Sequence, residues 1–464
     1  EALQPPSITL LTQDTKNKPK KAGDEIKVVI QGTPKMLASF SIGEYKKHVD
    51  MKELEPGWYY GAYKVVPGDN VREAVIAGRL AYPNEPGNYG EWIDAVGSVT
   101  MKTTPPDIPG NLVAVGGDRF VRLNWKKAVD PDLIAYRLYR SESPLDGYKE
   151  IAKTEFTEFT NQDNQLVNGK PYFYKVTAVD RAGNESDIRK TDYTKGMPIA
   201  PGPTPVSGII DNDRVWYSGA SPYIIKSNVT VKDKASLKIE PGTQIKSEGG
   251  ALIVEGSLNA HGDGERIIGF DTAREGRLWK GIVFRNVKDK ENVLRYVRIK
   301  NAEEGVNCQN ASPRIENSEF TENAAAIRVS GAFSKPAISK NTIQKSQGIA
   351  VLISDSAQPR LDENKIQDNG KGGIAVKGAS PVIVHNTIAR NRGTGIVLSG
   401  SQALIENNNI TDNEPYNASA DMRGEAVRAL NNWWGSTKGM EILSKNTGKV
   451  NITSVLNAPW PEGK

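Results

Sequence analysis

The chain has 464 residues, of which 38% are hydrophobic and 25% charged, a composition that excludes a disordered or collagen-like protein. Its length predicts about three domains. Sixty basic against 55 acidic side chains give a net charge of only +5, so no nucleic-acid partner is expected. No apolar run is long enough for a transmembrane segment. With one cysteine, Cys308, and three histidines far apart in the sequence, we expect no disulfide framework, no metal site and no cofactor.

The first segment, residues 1–104, predicts an Ig-like β-sandwich. Short alternating runs such as Ile26, Val28 and Ile30 are separated by turn clusters, which is typical of half-buried antiparallel strands. Its aromatic strand, with Trp58 and Tyr60, has two interpretations. The residues form a core strand with edge aromatics, or they are a binding platform that stacks on sugar rings.

A second domain is expected over residues 105–192, after the stiff segment Thr103–Pro109. Trp125 lies in its second strand, Tyr172–Asp180 is a tyrosine-rich strand, and Asp180–Ser186 reads Asp-Arg-Ala-Gly-Asn-Glu-Ser. These features resemble a fibronectin type III domain, a family of spacers and adhesion modules. Prolines at nearly every second position then predict a linker over residues 193–205.

The remaining residues, 206–464, contain an internal repeat. Its apolar closing positions follow at steps of 23, 23, 22 and 22 residues, at Phe320, Ile343, Ile366, Ile388 and Ile410. Each repeat contains about three short strands separated by turns. A unit this small cannot bury its apolar residues alone, whereas stacked coils close a continuous core. We therefore predict a parallel β-helix with a C-terminal cap.

Three segments carry a more specific resemblance: Leu252–Gly262, Trp279–Phe284 and Asn431–Gly435. They resemble the opening and closing coils of the pectate-lyase-type family of right-handed parallel β-helix repeats. The expected fold class is thus all-β, with two sandwiches followed by a right-handed parallel β-helix. This scaffold carries lyases, hydrolases, epimerases and adhesins alike, so the resemblance implies a fold and leaves the activity open.

One asparagine recurs at the same position of successive repeats. Stacked carboxamides can hydrogen-bond along the axis of a solenoid at a spacing of roughly 4.8 Å per coil. We predict a structural ladder, and its members are Asn341, Asn364, Asn386, Asn408 and Asn432.

A second register of small–aliphatic pairs, among them Ala326-Ile327 and Gly348-Ile349, aligns Ile349 with Ile327. Because side chains alternate along a strand, this register places Ala350 on the outer face and identifies the outward residues of two strand positions. Acidic residues occur outward only at every second coil, about 9–10 Å apart, which is too far to share a calcium ion. No catalytic residue is assigned. Arg360 and Asp362, with His385 on the adjacent coil, form either a simple ion pair beside a turn histidine or, as an alternative, an acid–base site. Arg314 and Arg328 point outward and are candidate binding residues, and Cys308 is expected to be buried and inert.

These patterns favour an exported or cell-surface protein of bacterial type that is structural or binding rather than enzymatic. Its expected partner is a glycan or a surface protein, with self-assembly into a filament through the solenoid ends as a further possibility. The alternative is a polysaccharide-active lyase, hydrolase or epimerase. We expect few contacts between the domains.

Overall fold

The computed structural model describes residues 3–94, 97–287, 290–422 and 425–462. It separates into two compact units, residues 1–199 and 200–464. Almost all regular structure is β-strand. The predicted fold class is confirmed: sandwich-type sheets are followed by a parallel β-helix.

The first sandwich has nine strands. They are β1 (Ile8–Gln13), β2 (Glu25–Gly32), β3 (Leu37–Ile42), β4 (Lys46–Glu55), β5 (Trp58–Lys64), β6 (Asn70–Ala74), β7 (Ile76–Tyr82), β8 (Glu85–Ile93) and β9 (Val99–Lys102). Seven pair in the order β1-β2-β5-β4-β3-β7-β8, and β6 pairs with β9. Because side chains alternate along β2, Ile26, Val28 and Ile30 are buried against Phe40 and Tyr59.

The second sandwich has seven strands. They are β10 (Gly110–Gly117), β11 (Phe120–Lys126), β12 (Leu133–Ser141), β13 (Lys149–Thr154), β14 (Glu158–Asn161), β15 (Tyr172–Asp180) and β16 (Thr194–Gly196). A three-stranded sheet, β10-β11-β14, faces a four-stranded sheet, β13-β12-β15-β16. Trp125 packs edge-to-face on Tyr136 in the core, with ring centroids 5.4 Å apart. Strand β16 lies inside the segment expected to be a linker, because residues 194–196 complete the sheet beside β15.

The second unit is a solenoid of 30 strands among the described residues, with one short helix, α1 (Gly439–Ser444), near its end. The strands are β17 (Thr204–Ile210), β18 (Arg214–Trp216), β19 (Tyr223–Val231), β20 (Ser236–Ile239), β21 (Gln244–Ser247), β22 (Ala251–Val254), β23 (Ser257–His261), β24 (Ile268–Thr272), β25 (Gly281–Arg285), β26 (Val293–Arg295), β27 (Val297–Lys300), β28 (Glu304–Gln309), β29 (Arg314–Glu316), β30 (Glu319–Thr321), β31 (Ala325–Ser330), β32 (Ala337–Ser339), β33 (Thr342–Gln344), β34 (Ile349–Ser354), β35 (Arg360–Asp362), β36 (Lys365–Gln367), β37 (Gly372–Lys377), β38 (Val382–Val384), β39 (Thr387–Ala389), β40 (Ile396–Ser399), β41 (Leu404–Glu406), β42 (Asn409–Thr411), β43 (Ala418–Ala420), β44 (Val427–Arg428), β45 (Asn446–Thr447) and β46 (Val450–Asn451).

In the central part of the solenoid each coil contributes one strand to each of three parallel columns, whereas β17 and β19 at its start each run through two columns. In one central coil the first column holds β28, the second β29 and the third β30, and each pairs with the strand three places later in the chain. The third column aligns the predicted closing positions, so that Phe320 lies over Ile343 and Ile366 over Ile388. All of these side chains are buried. The interior of the solenoid is therefore a continuous apolar stack.

The predicted alignment of β34 with β31 was wrong. The sequence frame aligned Ile349 with Ile327 and placed Ala350 on the outer face. In the structure Val351 pairs with Ile327, and Ala350 is buried. The frame shifts because Val351 and Ile353 are the residues that continue the inward apolar stack at this coil.

Candidate functional site

The asparagine series forms a hydrogen-bonded ladder inside the solenoid. Each Nδ2 donates to the Oδ1 of the asparagine on the next coil, with distances of 3.0, 2.9, 3.0 and 2.9 Å from Asn341 through to Asn432. The backbone N–H of each donor residue bonds to the same Oδ1. All five side chains are buried. Their role in the structure is to satisfy the polar backbone groups of a turn that is buried from solvent.

A second ladder was missed from the sequence. Asn369 donates to Asn391 at 2.9 Å, and Asn391 donates to Asn413 at 2.8 Å. These residues lie five positions after Asn364, Asn386 and Asn408, and all are buried. The fixed offset of five residues was the signal that could have revealed them. The third strand of these three coils is thus held at both of its ends by buried amides.

The residue before each position of the first ladder, and the equivalent residues Tyr296 and Asn317 in the two preceding coils, adopt the left-handed backbone conformation. The φ angles lie between 48° and 58° along this series, which we call the turn row: Tyr296, Asn317, Lys340, Glu363, His385, Asn407 and Asn431. For a residue other than glycine, this backbone conformation costs roughly 1 kcal/mol of conformational energy. All seven side chains are half-buried or exposed. The chain therefore displays one variable residue per coil along this edge.

The structure brings the alternative catalytic residues together. Arg360 Nη2 donates to Asp362 Oδ2 at 2.7 Å, and His385 Nδ1 lies 2.9 Å from Asp362 Oδ1. Partial burial opposes ionisation of Asp362, but the bonds from His385 and Arg360 keep its pKa below the usual value. Asp362 is therefore an ionised acceptor held between two partners. The arrangement can orient the histidine ring and supply an acid–base pair.

The C-terminal segment lies over this group, which the sequence did not predict. The indole of Trp460 stacks on the His385 ring, with centroids 4.5 Å apart. Asn409 fixes the backbone of Trp460 from both sides: its Oδ1 accepts from Trp460 N at 2.7 Å, and its Nδ2 donates to Trp460 O at 3.1 Å. One face of the His385 ring is consequently covered.

The two candidate binding arginines are engaged in ion pairs between coils. Arg314 Nη2 lies 3.1 Å from Glu291 Oε1, and Arg328 Nε donates to Glu304. The same pattern recurs over the outer faces, in the pairs Arg298–Glu319, Lys300–Glu322, Lys340–Glu363, Arg390–Asp368 and Arg428–Glu406. In the part of the chain that the structure describes, no group of three metal-ligating side chains could hold an ion.

Cys308 is buried in the first column, facing the solenoid core. Burial raises the pKa of its thiol far above the usual value. Since the thiolate is the reactive form, Cys308 is inert at neutral pH, as expected from its position among inward aliphatic residues.

An open groove lies on the outer face of the first sandwich beside the predicted aromatic platform. It has a volume of about 550 Å³, and its lining residues come from β1, β2 and β5 with the turn after β1: Thr12, Gln13, Asp14, Lys27, Val28, Val29, Tyr60, Gly61 and Ala62. Tyr60 is 38% exposed there. Trp58 lies two residues earlier on the same face, whereas Tyr59 between them is buried. The strand thus places Tyr59 in the core and Tyr60 on the exposed face, with Trp58 and Tyr63 partly buried.

Residues 280–448 match the family described as "Right handed beta helix region". With the parallel three-column topology, this shows that the C-terminal part of the chain is a right-handed parallel β-helix, preceded by Ig-like and fibronectin type III-like sandwiches. No helix among the described residues is long and apolar enough to cross a membrane.

Curated relatives match only a short part of the chain. An amylopullulanase from Thermoanaerobacterium saccharolyticum is 36% identical over 85 residues, which span 18% of this chain and 6% of the relative. An amylopullulanase from Thermoanaerobacter thermohydrosulfuricus is 40% identical over the same length, with the same shares.

Among solved structures, an Fn3-like protein from Clostridium thermocellum is 26% identical, with a TM-score of 0.18, and the match covers 21% of this chain and 97% of that protein. Domains A168–A170 of titin match at 13% identity and a TM-score of 0.30, covering 42% and 66% of the two chains.

Proposed function

We propose that this is an exported or cell-surface binding protein whose ligand is a glycan. The observation that carries the proposal is the groove beside Tyr60 and Trp58. Tyr60 lines this open, largely apolar groove together with the polar residues Thr12, Asp14 and Lys27, and Trp58 lies two residues earlier on the same face of the strand. Flat apolar rings that lie beside hydrogen-bonding groups match the two kinds of surface that a sugar ring presents.

The solenoid supports a structural role beside this site. Many acidic groups on its outer faces are paired with arginine or lysine, often on the adjacent coil, as in Arg298–Glu319, where Nε and Oε2 are 2.6 Å apart. Such pairs hold neighbouring side chains in place over flat faces, which suits a rigid scaffold or a second contact surface. The 85-residue match to proteins named amylopullulanase supports a glycan as the choice of ligand, and it covers 6% of each of these proteins.

Replacing Trp58 or Tyr60 with alanine is expected to weaken glycan binding by about tenfold or more, because each change removes a stacking surface at the centre of the contact. Binding of the full chain to immobilised amylose, pullulan and polygalacturonate, measured by biolayer interferometry, checks this. Tyr60→Phe keeps the ring and should retain most of the affinity.

The matched control is Tyr89→Ala, which removes an exposed tyrosine on another strand of the same sandwich. It should leave binding unchanged. The proposal fails if the wild-type chain retains none of the glycans, or if Trp58→Ala and Tyr60→Ala bind as well as the control. Retention of a surface protein without any glycan would instead support the expected protein partner.

A second candidate function, polysaccharide cleavage on the solenoid, is favoured by one observation. The structure joins Arg360, Asp362 and His385 through direct contacts. If this group provides acid–base chemistry, Asp362→Asn should lower turnover by about a hundredfold or more. Reducing ends and the absorbance of unsaturated products, followed on the same polysaccharides, measure it.

Asp368→Asn is the control for that experiment. Asp368 also accepts from an arginine, with 3.0 Å between its Oδ1 and Arg390 Nε, but it has no histidine partner in the described residues. Turnover that survives Asp362→Asn, or that falls equally in both variants, would exclude this group as the catalytic centre.

A further inference from the structure

Three carboxylates of the second sandwich surround one ammonium group of the first. Lys102 Nζ lies 3.0 Å from both Asp130 oxygens, 3.3 Å from Asp180 Oδ2 and 3.5 Å from Asp132 Oδ2. The side chain of Asp180 is fully buried, and that of Lys102 is 21% exposed. The sequence predicted few contacts between these domains. It did not reveal this joint, since a lysine at the end of β9 has no local pattern that identifies its distant partners.

The second sandwich positions these carboxylates by its own turns. Asp130 Oδ1 accepts from the backbone N–H of Asp132 at 2.8 Å. Asp180 accepts from Asn184 twice, from the backbone N–H at 2.8 Å and from Nδ2 at 3.0 Å. The acceptors are therefore fixed before any cation reaches them, so little conformational entropy is lost when Lys102 enters.

Further contacts cross the joint at the same place. Asn184 Nδ2 donates to the backbone carbonyl of Lys102 at 2.8 Å. Arg72 Nη2 lies 3.3 Å from Asp132 Oδ1, and Lys21 Nζ donates to the carbonyl of Gly183 at 3.4 Å. Burial opposes the charge on Lys102, but its bonds to Asp130 and Asp180 raise its pKa above the usual value. The lysine is therefore protonated at neutral pH.

We infer that the ammonium group of Lys102 fixes the two sandwiches relative to each other, so that residues 1–199 form one rigid body. An exposed ion pair contributes little to stability. Removing the cation from this partly buried site has a different effect, because it leaves three carboxylates facing one another with Arg72 as the remaining close cation among the described residues. Their repulsion would open the joint, since tandem domains move independently unless their interface restrains them.

The test is a distance measurement across the joint in the full chain. Spin labels are placed at Lys47→Cys in the first sandwich and Leu145→Cys in the second, and both native side chains are exposed. The single native thiol, Cys308, is buried and does not compete for the label. Double electron–electron resonance should give a narrow distance distribution. Lys102→Met keeps the length of the side chain without the charge, and it should broaden the distribution by about twofold or more.

Lys27→Met is the matched control, because the Lys27 side chain is exposed and its Nζ lies 4.0 Å from Glu25 Oε2, at the limit of an ion pair. It should leave the distribution narrow. Asp130→Asn provides a second variant in case Lys102→Met does not fold. It keeps an oxygen for the turn bond to Asp132 but loses the carboxylate closest to Lys102, and it should also broaden the distribution. A wild-type width in whichever of the two variants folds would overturn the inference.

Discussion

Replacing Gly281 with alanine is expected to destabilise the solenoid by about 4 kcal/mol or more, among the largest effects of any single substitution. Gly281 begins β25 with φ at +89°, and a Cβ built on it would lie 1.6 Å from the carbonyl oxygen of Glu304 on the next coil. That atom belongs to the backbone of a paired strand and cannot move aside without breaking the column. Chemical unfolding of the full chain, followed through the transition assigned to residues 200–464, measures the loss.

Gly276→Ala separates the clash from the backbone strain. Gly276 also has a positive φ, +69°, but a Cβ there would have no neighbour within 4 Å. The expected cost is about 1 kcal/mol, the penalty of a left-handed conformation for a residue with a side chain. Equal losses in the two variants would show that the close approach of successive coils does not determine the effect.

Asn386→Ala is expected to destabilise the solenoid by a similar amount, about 4 kcal/mol, because it leaves several buried polar groups without partners. The Asn386 carboxamide accepts from the backbone N–H and Nδ2 of Asn364, both at 2.9 Å. It donates to Asn408 Oδ1 and to the carbonyls of Leu361 and Val384, at 3.0, 3.0 and 2.8 Å. No water can replace these bonds unless the solenoid opens at this turn.

The adjacent residue provides the control. Thr387 begins β39 on the outer face and is half-buried. Thr387→Ala should change the free energy of unfolding by less than about 0.5 kcal/mol, as is usual for surface sites. If Asn386→Ala costs as little as Thr387→Ala in the same unfolding experiment, the ladder is not a major source of stability.

The fold was predictable from the sequence because the period of the repeat determines which residues of successive coils are aligned. Phe320, Ile343 and Ile366 had to stack once the period was known, and the structure pairs them. The frame failed at Ala350, because the small–aliphatic pair of this coil lies two residues later than the frame placed it, so that Val351 and not Ile349 pairs with Ile327. Periodicity identifies the residues that recur at the same position in every coil. It does not identify a single coil in which a strand is out of register with the repeat.

The candidate sites were less predictable, because their partners are distant in the chain. Arg360 and Asp362 share one short strand, and His385 follows one coil later, so the spacing placed them together. Trp460 reaches the same group from outside the repeat, and no period predicts its position. The same holds for Lys102, whose three carboxylate partners belong to another domain.

The turn row allows the surface chemistry of this chain to differ from coil to coil. A buried asparagine follows most turn-row residues and fixes the backbone of the turn. The turn-row residue itself differs from coil to coil: tyrosine, asparagine, lysine, glutamate and histidine all occupy equivalent places. Backbone shape and surface chemistry are thus specified by neighbouring but separate residues. Because coils repeat at roughly 4.8 Å, the turn row is a regularly spaced line of side chains, each of which can be exchanged without altering the backbone of its turn.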